Sequence, residues 1–200
     1  FVAGGQGGTI AGIHAGVVGL NDEHLLALGR GDPIPGPAAP TGAIQDRMPM
    51  SLSADMGVTW TYHPSPFHPI GGGQRLVLMR LREGPLFFAA FTGPVDADPG
   101  MLFVDATGRE FRGYGLFAAL SFDKGQTWPS RRLLTPGSGD FYTQGHTRQF
   151  HADATHAEPR GYLAATQPPD GTIHLISSGL HYRFNLTWLM QTTAVSIISP

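Results

Sequence analysis

His14, Arg75 and Tyr162 stand at one position of three similar segments. HAGVVGLNDEHLLALGR begins at His14, RLVLMRLREGPLFFAAF at Arg75 and YLAATQPPDGTIHLISS at Tyr162. Each reads as strand, acidic turn, strand, and each turn acid (Asp22, Glu83, Asp170) lies eight residues beyond the start of its segment. A position serving only the fold would repeat one residue type; three different polar types at one repeat position are the pattern of a site. Histidine can exchange a proton near neutrality and arginine can grip a carboxylate at two points, so this position holds groups able to do chemistry. Polar groups that converge in one concavity are the first place to look for function.

Other polar residues cluster around these. Arg30 and Asp32 lie in GRGD, just after the second strand of the first segment, where an Arg–Asp pair supporting a pocket or loop fits better than an adhesion motif. Gln74 precedes Arg75, and Glu158 and Arg160 precede Tyr162, so all of these are candidates for a pocket rim. Arg75, Gln74, Arg30 and Arg160 form the expected substrate-binding group, with Tyr162, His14 and Glu158 as catalytic candidates. The run Gly71-Gly72-Gly73 lacks the spacing and following helix of a phosphate-binding loop, so its glycines serve a turn or a close backbone approach. His146, His151, Asp153, His156 and Glu158 crowd one stretch without metal-ligand spacing, and no metal or other cofactor is assigned. His181, Tyr182, Arg183 and Asn185 read as parts of a packed strand or its entry, and Asn185-Leu186-Thr187 is a sequon discounted in that position.

The elements that must position these residues are strands. Helical periodicity is almost absent, and short apolar runs alternate with Gly, Pro, Asp and Asn. The expected strands are AGVVGL, LLALGR, MPMSLS, RLVLMRL, PLFFAAFT, GLFAALS, YLAAT, TIHLISS and FNLTWL. After the third strand of the first two segments comes one pattern: SADMGVTW at 53–60 and SFDKGQTW at 121–128. Ser53, Asp55, Gly57 and Trp60 thus match Ser121, Asp123, Gly125 and Trp128. The Asp accepts turn hydrogen bonds, the Gly takes positive φ and the Trp packs on the sheet, so the pair of carboxylates reads as structural. Strand, strand, strand, motif, strand describes a four-stranded blade, and repeated blades predict an all-β propeller. The expected organisation is one partial propeller domain over 1–200, with a blade at 9–66, a blade at 70–136, an inter-blade loop at 137–157 and a final blade at 158–200. About three blades cannot close a ring, so the reading is the C-terminal half of a six- or seven-bladed propeller whose N-terminal half is missing. In such a ring the innermost strands line the central channel and bring His14, Arg75 and Tyr162 to its mouth.

Composition narrows the partners. The net charge is -2 across 200 residues, which attracts neither nucleic acid nor an anionic membrane. Cysteine is absent, which removes thiolate catalysis and Cys-zinc sites. No apolar run is long enough for a membrane-spanning helix. Lys124 is the only lysine.

The repeated S-x-D-x-G-x-T-W motif resembles the Asp box of the sialidase superfamily, also called the BNR repeat, and the blade pattern extends that resemblance over most of the chain. There the boxes sit on the periphery of the propeller, away from the active site. The resemblance implies an exo-acting glycoside hydrolase that removes a terminal, acidic sugar from a glycan or polysaccharide, in a secreted or periplasmic setting. GYLAATQPPDGTIHLIS resembles the final-blade segment of sialidases, which implies Tyr162 as nucleophile with a glutamate partner; a neutral phenol is not repelled by the sugar's carboxylate. RLVLMRLREGPLFF resembles a strand pair headed by a carboxylate-binding arginine, here Arg75. The R-I-P signature of sialidases is absent, and His14 has no assigned counterpart. GIHAG followed by GRGD is compatible with propeller enzymes that process uronate-linked rhamnose, which gives the alternative of a lyase or rhamnosidase using His14 as acid or base. A non-catalytic glycan-binding propeller is the other alternative.

Overall fold

A computed structural model describes residues 10–31, 47–143 and 148–191. The first sheet contains β1 (Ile13–Gly19), β2 (Leu25–Arg30), β3 (Pro49–Ser53) and β4 (Thr61–Pro64), antiparallel and in chain order. A two-residue strand β5 (Gln74–Arg75) then leads into the second sheet. That sheet holds β6 (Val77–Arg80) and β7 (Leu86–Phe91), and is interrupted by a hairpin of β8 (Met101–Val104) and β9 (Glu110–Gly113). It resumes with β10 (Leu116–Ser121) and β11 (Ser130–Leu133), giving the order β6-β7-β10-β11. A separate hairpin of β12 (Gly139–Thr143) and β13 (Arg148–Ala152) follows. After β14 (Gly161–Tyr162) come β15 (Ala164–Thr166), β16 (Ile173–Ile176) and β17 (His181–Phe184), which form the three-stranded third sheet, and a short helix α1 (Leu186–Met190). The protein is thus mostly β, built from small antiparallel sheets, and among the described residues no barrel or ring closes.

The second sheet is the centre of the core. Every residue of LFFAAF in β7 and LFAALS in β10 is buried, because both faces of these strands are covered. Successive side chains of a strand point to opposite faces. Phe88 accordingly packs on Phe67 (centroids 4.6 Å), Phe117 and Trp128, while its neighbour Phe87 meets Phe184 of β17 at 6.0 Å. Close approach of the first two sheets is imposed at Gly16: a Cβ there would lie 2.9 Å from the Cβ of Leu78, so β1 and β6 run against each other. The second and third sheets are joined by the parallel pairing of β5 with β14, Gln74 opposite Gly161 and Arg75 opposite Tyr162.

Both S-x-D-x-G-x-T-W turns have one geometry. Ser53 Oγ donates to Asp55 Oδ1 (2.8 Å), and Asp55 accepts from the backbone N–H and hydroxyl of Thr59. Ser121, Asp123 and Thr127 repeat those contacts. Gly57 and Gly125 have φ of 86° and 89°, and the preceding Met56 and Lys124 are also left-handed at 55° and 62°. The Thr hydroxyl, followed by further turn hydrogen bonds, holds both carboxyls down at about 2.

The strand expectations hold for LLALGR and for most of the others, with instructive departures. RLVLMRL breaks at Leu76, because Gln74 and Arg75 turn aside to pair with β14. FNLTWL is not a strand: the Asn185 side chain accepts from the Trp188 N–H at 2.9 Å, capping α1. The stretch 137–157, expected as a loop, contains the β12–β13 hairpin. The tail TTAVSIISP at 192–200 lies outside the described residues.

Candidate functional site

The three repeat-position residues meet. His14 lies in β1 where the pairing with β2 slips between Ile13 and Gly16, and its backbone is left-handed at φ 54°. The bulge re-aims its side chain, and a non-glycine residue in this region is the strained kind found at functional sites. Arg75 closes β5 and Tyr162 closes β14, so their direct pairing sets the two side chains together. Arg75 Nη2 lies 2.9 Å from His14 Nδ1, and its guanidinium carbon lies 4.8 Å from the centre of the Tyr162 ring. The His14 and Tyr162 rings are 6.3 Å apart. His14 and Tyr162 are exposed and Arg75 is half-buried, so the cluster opens to solvent.

This geometry assigns a proton. A guanidinium only donates hydrogen bonds, so His14 Nδ1 accepts and the neutral ring carries its proton on Nε2. In this arrangement Nδ1 is engaged by Arg75 and is not available as a base. Arg75 also has a buried Nε–H that meets no acceptor among the described residues.

The other expected contacts fall behind this cluster. Gln74 is completely buried. Its Nε2 donates to the carbonyls of Gly93 and Pro159 (2.9 Å each), and its Oε1 accepts from the Gly71 N–H at 2.6 Å. It clasps the loops that carry Arg75 and Tyr162, which corrects its assignment as a substrate contact. Arg30, also buried, donates from Nη1 to the Gln74 carbonyl at 3.4 Å and buttresses the same strand. Arg160 is half-buried, with its side-chain methylenes beside Gly73. Asp32 lies outside the described residues.

Glu158 was expected at the rim and is instead wholly buried. Its carboxylate accepts from Ser177 Oγ at 2.7 Å and from Tyr182 Oη at 2.9 Å. The reason is cross-strand: Ser177, just past β16, and Tyr182, near the start of β17, draw the carboxylate inward. Burial and then the charge of Glu158 raise the Tyr182 phenol far above its ordinary range. Tyr182 is the member of this cluster that sequence reasoning took for packing alone; no local signal couples it to Glu158.

The histidine-rich stretch does not assemble. His151 pairs with Asp140 (2.9 Å), His156 with Asp153 (3.1 Å), and His146 lies outside the described residues. Among the described residues no group of three or more His, Asp or Glu is set to hold a metal ion. No described helix is long and apolar enough to cross a membrane. No family model, curated protein or solved structure matches the chain.

Proposed function

We propose that this chain is part of an Asp-box β-propeller of the sialidase superfamily, and that His14, Arg75 and Tyr162 form the acidic-sugar end of an exo-acting glycosidase site. The observation that carries the reading is the meeting of three residues, 61 and more positions apart, that share one register of a repeated hairpin. Two four-stranded sheets in chain order, each with the same motif between its third and fourth strands, support the blade reading. The Arg75 guanidinium, held by His14 above the Tyr162 ring in a cluster that opens to solvent, is the group for a carboxylate. Tyr162, under that guanidinium, is the nucleophile or the ring on which the sugar rests. His14, with Nδ1 held by Arg75, stands beside Tyr162 as a further ligand contact.

A lyase would need His14 as base. That requires the Arg75 contact to break and free Nδ1, so hydrolysis is the reading the geometry favours. The test is product analysis on purified protein with a panel of sialosides and uronate-bearing polysaccharides, following free sugar and ultraviolet absorbance. Hydrolysis predicts free sugar, abolished by Tyr162→Phe and weakened about 10- to 100-fold by Arg75→Ala, the loss of a charge-assisted hydrogen bond. An absorbance rise abolished by His14→Ala would move the assignment to elimination. Binding without any product would leave a glycan-binding module.

A further inference from the structure

Away from this cluster, a groove of about 1000 Å³ lies between the outer half of the first sheet and the second S-x-D-x-G-x-T-W turn. Its origin is geometric. Leu26, Leu52 and Thr61 stand in one cross-strand row, with Leu28, Met50 and His63 in the next. Leu26 and Leu28 are fully buried in the core, whereas Leu52 is 37% exposed, so the second sheet covers this face only in part. At the tip of the turn a Cβ on Gly125 would lie 2.6 Å from Leu26 Cδ2, so the turn is seated on the first sheet. Lys124 and Gln126 flank that contact and line the groove opposite His63 and Thr61.

The formal charge on the lining is that of Lys124, the chain's only lysine; His24 and His63 also face the groove, and among the described residues no carboxylate does. Asp55 and Asp123, beside the lining residues Ala54 and Lys124, are bound up within their turns by Ser and Thr. Asn21 Oδ1 accepts from the backbone N–H of Glu23 and His24 and lies 2.9 Å from His24 Nδ1, which therefore donates and leaves Nε2 as the other hydrogen-bonding atom of the ring. Leu26, Met50 and Leu52 give an apolar floor. An aliphatic floor with hydroxyl, amide and imidazole groups and one ammonium group on the walls suits a ring that has C–H faces and a carboxylate at its edge.

We infer that this groove is a second, non-catalytic binding site for an acidic saccharide, which holds the same class of polymer that the His14–Arg75–Tyr162 site acts on. The choice of a saccharide rests on the proposed function; the lysine-bearing lining, free of carboxylates among the described residues, does not. The test is calorimetric titration with trigalacturonate and with its uncharged methyl ester. The proteins are the parent, Lys124→Asn/His63→Gln, Thr61→Trp and Arg75→Ala. Asparagine tolerates the left-handed backbone at 124, and Thr61→Trp blocks the groove from an exposed edge strand without altering its charge. The expected result is that both groove variants, melting like the parent, lose one equivalent of acid binding or weaken it about tenfold or more. That equivalent persists in Arg75→Ala, is not seen with the ester, and weakens near 1 M salt, where screening acts over about 3 Å. Parental binding in both groove variants, or equal binding of the ester, overturns the proposal. Loss of all trigalacturonate binding in Arg75→Ala overturns it as well. An isotherm unchanged in Arg75→Ala but lost in both groove variants supports the groove and counts against the proposed catalytic site.

Discussion

Replacing Gln74 by Met tests whether one buried amide holds the site together. The methionine keeps the length of the side chain but removes its hydrogen bonds. Three backbone groups lose partners: the Gly71 N–H and the carbonyls of Gly93 and Pro159. A buried polar group left unsatisfied costs about 1–3 kcal/mol, and partial relaxation of the carbonyls brings the expected total to about 3–5 kcal/mol. For a chain of this size each kcal/mol shifts the melting temperature by about 2–4 °C, so the drop is roughly 6–20 °C. Guanidinium unfolding followed by circular dichroism measures the free energy, with an unchanged slope showing that the unfolded state is the same. Gln74→Glu is the companion variant: it keeps the shape but turns an oxygen towards two carbonyls, and should be at least as damaging. A loss below about 1 kcal/mol in Gln74→Met, with Arg75-dependent binding retained, would refute the idea that this amide clasps β5 to β14.

Gly57 and Gly125 occupy the same place in the two repeated turns, but a Cβ meets its nearest atom at 3.4 Å in the first and 2.6 Å in the second. Gly125→Ala should therefore cost about 1–3 kcal/mol more than Gly57→Ala in chemical denaturation; equal costs would show that the turn is not packed on Leu26. The carboxyls of Asp55 and Asp123 are depressed to about 2, so their stabilisation is complete above the unfolded value near 4 and is lost as pH falls through 2. Asp55→Asn/Asp123→Asn should flatten the stability profile between about pH 4 and 2; an unchanged profile would count against these turns as the acid-sensitive elements. Tyr182, its phenol raised by burial and by Glu158, should stay un-ionised in spectrophotometric titration until the protein unfolds. That late step should vanish in Tyr182→Phe, and its persistence would place the buried phenol elsewhere.

The sequence carried the all-β character, most strand positions and the register that unites His14, Arg75 and Tyr162. These were legible because turn chemistry and two-residue alternation are local, and the acidic turns supply a ruler common to all three hairpins. Gln74 and Glu158 were misjudged for one physical reason: which way a residue points at a strand entrance depends on partners far along the chain. Gln74 answers to Gly93 and Pro159, and Glu158 to Ser177 and Tyr182. The helix after β17 was hidden because FNLTWL has strand-like composition, and only the Asn185 cap separates the two outcomes. The groove beside Lys124 was also invisible, since it arises from how Gly125 of the second turn sits on Leu26, 99 positions away.

The pairing of β5 with β14 has a kinetic consequence. Hairpins close over a few residues and form early, but this two-residue parallel contact spans Gln74 to Gly161 and must close a long loop for little local gain. His14, Arg75 and Tyr162 can each be in a finished hairpin while the cluster does not yet exist. Recovery of ligand binding on refolding should therefore trail the recovery of strand signal, and a cut in the chain between the second and third sheets should silence the cluster before it melts either one.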